Sequence, residues 1–185
     1  SLFVAALLGF TAAGLAQYSM TVESAPAAQV ADQTVYRFYV DMPTDSCEVS
    51  AIFGDQASPF IIDAPAGVYN SGFNATWSAS GINPAFLALA PEMIDDTYAT
   101  IGLEGPSSTS GLASPQDPQI AEDPDQLISP FFLTDGASLL QSNTNIGASY
   151  FVTAGATNAS PAEGATDPAD LRVLILQVTT GGDIS

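Results

Sequence analysis

The sequence contains no histidine, no lysine and only two arginines, Arg37 and Arg172. Proteins that bind nucleic acids need many cations to neutralise phosphates, so this deficit excludes nucleic acid as a partner. It also argues against docking on anionic membranes and against polyphosphate substrates. The lack of histidine, together with a lone cysteine, excludes the usual zinc sites, Ser-His-Asp and Cys-His catalysis, and a disulfide within one chain.

Acidic and apolar residues dominate what is present. Twenty Asp and Glu residues give a formal charge of −18, yet only 12% of the residues are charged and 46% are apolar. Disordered acidic chains have few aromatics and low hydrophobicity, whereas this one has 10 Phe, 6 Tyr and a Trp to fill a core. The length of 185 residues fits a single domain. The composition therefore predicts one folded, acidic domain.

The first sixteen residues have the pattern of a secretory signal. Residues 2–10 are apolar and uncharged but too few for a bilayer span, which needs about 20 residues. Gly14 and Ala16 supply the small residues that a signal peptidase requires. We therefore predict that residues 1–16 are the remnant of a signal, that residues 17–185 form one domain without an integral membrane span, and that this domain is secreted or at the cell surface. The alternative is a buried N-terminal helix or strand.

Period-two alternation and β-branched residues predict many short strands. The clearest lie at residues 17–24, 33–41, 48–53, 97–103, 148–153 and 171–178, with shorter candidates at 60–62, 67–69 and 131–133. The best helical segment is short, at residues 84–90, with Asn83 as its cap. With 15 Gly and 13 Pro between these segments, the pattern predicts an all-β fold. We expect an antiparallel β-sandwich, immunoglobulin-like or jelly-roll-like, with at most one short helix.

The C-terminal strand is followed by a turn sequence close to the end of the chain. Residues 179–182 read Thr-Thr-Gly-Gly, and only three residues follow. This composition is typical of a hairpin turn. We therefore expect that the C-terminal strand or strands are missing, that the sequence is truncated at both ends, and that a sheet edge is left unpaired.

Four stretches carry a resemblance to a group of exported β-modules from bacterial surface and secreted proteins. They lie at residues 35–40, 67–70, 81–86 and 171–180. The resemblance extends over most of residues 17–185 and implies export and a β-fold. No motif of the group has a chemical role that could be carried over to this chain.

An aromatic segment at residues 69–77 is one candidate binding site. Its aromatic residues recur every fourth position and are interleaved with amides, in the set Tyr69, Asn70, Phe73, Asn74 and Trp77. Flat rings flanked by amides can bind sugars, because rings stack on sugar C–H faces while amides bond hydroxyls. The alternative is that these rings point inward, since a lone Trp in a small domain usually belongs to the core.

Clusters of carboxylates are the second candidate site. Calcium takes six to eight oxygen ligands, which loops between strands can supply. The candidate ligands lie in two loops: Asp41 and Asp45, and Glu122, Asp123 and Asp125. Neither an EF-hand loop nor a nonapeptide repeat is present. The alternative is that these acids form turns without a metal.

These observations leave three functions open. The leading hypothesis is an exported acidic β-sandwich module with a structural, adhesive or matrix role, in which calcium bridges loop acids and the partners are extracellular polysaccharide or other surface proteins. The second is a carbohydrate-binding module that uses the aromatic segment. The third is a carboxylate-dependent glycoside hydrolase, which needs no histidine. We assign no catalytic residue, and the sequence favours a protein that is not an enzyme.

Overall fold

The computed structural model describes residues 18–185, and this range is built from strands without any α-helix. The predicted signal at residues 1–16 lies outside the described residues. The strands are β1 (Ser19–Pro26), β2 (Thr34–Asp41), β3 (Ala51–Gly54), β4 (Phe60–Asp63), β5 (Tyr98–Ala99), β6 (Gln119–Glu122), β7 (Leu139–Ser142), β8 (Ala148–Phe151) and β9 (Arg172–Thr180). The only helical segments in this range are short 3₁₀ turns at Ala79–Gly81, Pro91–Asp95, Ser107–Thr109, Ser129–Phe132 and Thr157–Ala159.

The strands pair antiparallel in three sheets. The four-stranded sheet has the order β1-β2-β9-β5, the three-stranded sheet β3-β8-β6, and the two-stranded sheet β4-β7. The prediction of an all-β antiparallel fold with at most one short helix is confirmed. The finer assignment to an immunoglobulin-like or jelly-roll-like sandwich stays a prediction.

The C-terminal strand β9 lies in the interior of its sheet, and the expectation that further strands are missing stays a prediction. One side of β9 pairs with β2 along almost its whole length. On the other side, β9 pairs with β5 and accepts further bonds from Thr100 N to Ile175 O (3.0 Å) and from Tyr69 N, in a separate segment, to Thr179 O (2.7 Å). Every residue of β9 after Arg172 is buried.

After the two glycines, residues 183–185 run towards β4. Ser185 and Asp63 exchange both backbone hydrogen bonds, at 3.0 and 2.8 Å. This mutual exchange is the signature of an antiparallel pair. The residues after the turn therefore meet the two-stranded sheet, where the sequence had predicted a hairpin alongside β9.

One apolar core joins the three sheets. It contains side chains of β9, β8, β7 and β4, including Ile175, Tyr150, Leu140 and Ile62. The Tyr150 hydroxyl donates to the Ile175 carbonyl at 2.9 Å, and thus links the three-stranded sheet to the four-stranded one. The register of β2 with β9 shifts at this point, between Phe38 and Tyr39, so that Ile175 is an extra residue on β9.

Two local predictions are corrected by the structure. The expected helix at residues 84–90 is absent and residues 84–89 form consecutive turns, although Asn83 does cap them, with its Oδ1 accepting from Ala85 N at 2.9 Å. Pro91 disfavours the helical conformation at Ala90, so a helix could not continue beyond this segment. The short strand expected at residues 131–133 is part of the 3₁₀ turn Ser129–Phe132.

Candidate functional site

The two amides of the aromatic segment point into the protein. Asn70 is buried, and its Nδ2 donates to the carbonyls of Phe131 and Thr134, both at 2.8 Å. Asn74 is also buried, and its Nδ2 donates to Asp96 Oδ2 at 2.7 Å. Both amides therefore hold neighbouring loops in place, and their donor groups are already used inside the fold.

The three rings of this segment differ in their surroundings. Trp77 packs against the main core, with its ring centroid 6.2 Å from that of Tyr150. Tyr69 is partly buried, whereas Phe73 is 63% exposed. The structure thus does not bring the five predicted residues together as one row of exposed rings with free amides. Sugar binding by the segment stays a prediction, in which Phe73 is the accessible ring.

Two adjacent buried carboxylates organise the loops around this segment. Asp95 accepts hydrogen bonds from three successive backbone N–H groups, those of residues 28, 29 and 30, at 2.9, 2.5 and 2.9 Å. Asp96 accepts from Ser71 N at 2.6 Å as well as from Asn74. The pair therefore ties both the β1–β2 loop and the aromatic segment to the turn Pro91–Asp95. In the sequence the two acids directly precede the strand predicted at residues 97–103, and no local pattern there indicates their burial.

Asp96 has an unusual proton affinity. Its side chain is 1% exposed, and this burial raises its pKa to about 7, against the hydrogen bonds from Asn74, Ser71 and Thr97 that lower it. The nearby Asp135 adds to the rise, because a second negative charge disfavours ionisation. Asp96 therefore takes up or releases its proton near neutral pH.

The predicted calcium ligands at residues 122–125 have separate tasks in the structure. Glu122 accepts from Ile128 N (2.7 Å), Ser129 N (2.6 Å) and Ser129 Oγ (2.9 Å). Asp123 accepts from Thr144 Oγ1 and Asp125 N, and these bonds hold its pKa below the usual value. Asp125 is exposed. The first two carboxylates thus fix the loop through its own backbone and hydroxyl groups.

The other predicted pair is also used in local bonds. Asp41 accepts from the hydroxyls of Ser19 (3.2 Å) and Thr21 (2.6 Å), which lie across from it on β1. Asp45 accepts from Gly164 N at 2.8 Å. Within residues 18–185, no group of three or more acidic or cysteine side chains is placed to hold a metal ion. Calcium binding by these residues stays a prediction.

A broad cleft of about 920 Å³ has a strongly acidic lining. It lies between the loop around Asp45, the loops at residues 155–163 and the start of β9. Its walls carry five acids and one cation, namely Asp45, Glu48, Glu104, Glu163, Asp170 and Arg172. Asp45 accepts from Gly164 N, Glu104 pairs with Arg37, and Arg172 pairs with Glu23 outside the cleft, so these groups are bound within the fold and are not gathered around a ligand position.

A groove of about 440 Å³ has the opposite character, since no charged residue lines it. We call it the apolar groove. It lies between β1, β2, β9 and β4, and its lining includes Met20 and Val22 of β1, Phe38 of β2, Ile175 of β9 and Ile61 of β4, among others. This volume is in the range of small-ligand sites, about 300–1,000 Å³. The groove is therefore the best candidate binding site for an apolar group.

The exposed side chains at the mouth of the groove are large. Met20 is 63% exposed, Ile61 47% and Val22 46%. The hydroxyls of Tyr36 and Tyr150 on the lining already donate to backbone carbonyls. A ligand would thus be held by burial of apolar surface, which contributes about 25 cal/mol per Å².

Comparison with known proteins gave no match to any family model, curated protein or solved structure. The resemblance to exported bacterial β-modules therefore stays a prediction. Among residues 18–185, there is no helix with the length and apolar character needed to cross a bilayer.

We expect Glu122→Ala to lower the free energy of unfolding by about 2 kcal/mol, because hydrogen bonds to a charged acceptor are worth about 1.5–3 kcal/mol. Asp125→Ala, in the same loop, is the matched control and should change it by less than about 0.5 kcal/mol. Urea denaturation measures both. Equal losses in the two variants would contradict the assignment.

In the same samples, a rise in wild-type Tm on adding millimolar calcium that Asp125→Ala abolishes would support ion binding by the loop.

Asp96 should make stability fall as pH rises from about 4 to about 7. Its folded pKa of about 7 exceeds its usual value of 3.8, so its contribution is complete below pH 3.8 and is lost as pH rises through 7. The slope has an upper limit of about 1.4 kcal/mol per pH unit. Urea denaturation gives the free energy of unfolding of wild type and of Asp96→Asn across this pH range. The difference between the two isolates the contribution of Asp96, because all other carboxyls contribute equally to both proteins. A difference in free energy of unfolding that does not change with pH would contradict the prediction. The control is Asp183→Asn, which removes an exposed carboxyl.

Proposed function

We propose that this protein is an exported, non-catalytic β-module with a structural, adhesive or matrix role, and that it makes contact through the apolar groove. The observation that carries the proposal is the contrast between the groove and the rest of the surface. In a chain with 20 acids, the groove is lined by thirteen residues of which none is charged. Such a patch is typical of a surface that another molecule covers.

The use of the acids supports a structural role. Catalysis by carboxylates needs an acid and a base at a set separation in a cleft. Here Asp95, Asp96 and Glu122 accept hydrogen bonds from backbone N–H groups of neighbouring loops. Carboxylates that fix loops in this way are committed to the fold, and this favours binding over hydrolysis.

The charge of the chain supports a site of action outside the cytoplasm. A net charge of −18 keeps a protein soluble through self-repulsion. At physiological salt or above, the screening length is about 8 Å or less, so charges farther apart than this repel each other only weakly. An acidic module of this kind is suited to saline surroundings, which agrees with the signal predicted at residues 1–16.

Export is tested by expressing the gene with its complete leader in a bacterial host and separating cells from medium. We expect the protein in the medium or on the cell surface, with an N-terminus close to Gln17 by mass spectrometry, because Gly14 and Ala16 fit the cleavage site. An intact chain inside the cells, still carrying residues 1–16, would contradict export.

Binding by the apolar groove is tested with Nile red, a neutral apolar dye. We expect its fluorescence to rise with the wild-type protein and Ile61→Glu to weaken binding at least tenfold, since about 1.4 kcal/mol corresponds to a factor of ten. Ile146→Glu is the matched control, because Ile146 is 72% exposed and does not line the groove. Binding that survives Ile61→Glu, or that Ile146→Glu removes equally, would refute the groove as the site.

A further inference from the structure

The edge of β4 that faces the apolar groove already carries one strand-like contact, made by Ser185. Ser185 N donates to Asp63 O at 3.0 Å and Asp63 N donates to Ser185 O at 2.8 Å, so the two residues form an antiparallel pair. This pair lies on the side of β4 away from β7, because Ala64 N donates to Ser138 O and successive residues of a strand bond to opposite sides. Ile61 has the orientation of Asp63, and its N–H and C=O therefore also point away from β7.

The direction of the chain at Ser185 leads along the groove. In an antiparallel pair, the residues that follow Ser185 pass the residues that precede Asp63. Those residues, 59–62, are the part of β4 that lines the groove, and Ile184 and Ser185 line it as well. In the same register Ile184 lies opposite the buried Ala64 and packs against the core. Residues 184 and 185 thus form the start of a strand whose continuation would follow the β4 wall of the groove.

The side chains of β4 alternate between the core and the surface. Phe60 and Ile62 pack with the core, whereas Ile61 is 47% exposed. Directly opposed residues of two paired strands share a face of the sheet. The first and third residues after Ser185 would therefore lie opposite Ile62 and Phe60, and their side chains would enter the groove.

We propose that the polypeptide continues from Ser185 as a strand that pairs antiparallel with β4 and covers the β4 side of the apolar groove. Connectivity selects this occupant, because a segment joined to Ser185 is held at the edge of β4 at a high effective concentration. A second copy would have to overcome the repulsion between two chains of charge −18. The inference goes beyond the proposed function, and contact with another molecule then falls to the β1 side of the groove, at Met20 and Val22.

The sequence of the gene beyond the codon for Ser185 gives the first test. We expect apolar residues at the first and third positions after Ser185, because no charged residue lines the groove that their side chains enter. The second position needs an N–H that can donate to Ile61 O, so it should not be proline. A charged residue at the first or third position, or a proline at the second, would overturn the proposal.

Hydrogen exchange of the full-length gene product, followed by NMR, tests the pairing. We expect the Ile61 N–H to exchange at least about a hundredfold more slowly than in an unfolded peptide, because it donates to the added strand. The Ile62 N–H, which faces β7, is the internal control and should be protected as well. An unprotected Ile61 N–H would overturn the proposal. Protection of the Val22 N–H in its place would assign the strand to the outer edge of β1 and would overturn it too.

A cross-link in the full-length gene product tests the register. With Cys47→Ser as background, Ile61→Cys is combined with a cysteine at the second position after Ser185. The Cα atoms of such a hydrogen-bonded pair are about 5.5 Å apart, within the range of about 4.4–6.8 Å for a disulfide. We expect mild oxidation to remove both free thiols and to leave a monomer.

The matched control for the cross-link moves the second cysteine to the first position after Ser185, on the opposite face of the sheet. Both thiols of this control should stay free. Equal linkage in the two proteins would refute the register. A covalent dimer in place of the internal link would assign the strand to a second copy and would overturn the proposal.

The inference and the proposed function fail separately. If the full-length product binds Nile red while its Ile61 N–H is unprotected, the groove is a contact site and the added strand is refuted. If the Ile61 N–H is protected and Nile red does not bind, the strand is supported and contact through the groove is refuted.

Discussion

The loops of this protein depend on the hydrogen bonds made by one buried side chain, that of Gln177 in the middle of β9. Its Nε2 donates to the carbonyls of Ile94 (3.0 Å) and Asp96 (2.8 Å), and its Oε1 accepts from Arg37 Nε (2.9 Å) and from the Tyr98 hydroxyl. A buried amide is stable only when its groups are paired, and here all are. The turn Pro91–Asp95 is thereby fixed on the sheet, and Asp95 and Asp96 are aimed at two further loops.

This arrangement explains how a chain with so many acids keeps a folded core. More than half of the described chain lies outside strands, so many of its backbone N–H groups need acceptors other than a neighbouring strand. Carboxylates supply several of these acceptors. Asp95 satisfies three consecutive N–H groups of the β1–β2 loop, and Glu122 satisfies two at the start of the turn Ser129–Phe132. The acids are thus structural where they are buried and solubilising where they are exposed.

The strands with a strong local pattern could be predicted from the sequence, and those without it could not. β2 is a long run rich in β-branched and aromatic residues and β9 a long run rich in β-branched residues and leucine, whereas β6 and β7 have only four residues each and weak alternation. Such short strands form because β6 can pair with β8 and β7 with β4. The residues within each short strand do not reveal this pairing. The groove was missed for a similar reason: Met20, Phe38, Ile61 and Ile175 meet only once the topology is known.

Charge then decides which face of the protein can meet another molecule. Over most of the surface, acids without cationic partners repel any acidic neighbour and hold water instead. The sheet that carries Arg37 and Arg172 is the exception, because each arginine pairs with an acid, and this sheet forms one wall of the apolar groove. Apolar burial, which needs no charge, is therefore available in the groove, where no charged side chain lines the wall. Salt, which screens these acids, would therefore lower the cost of bringing an acidic partner to the groove.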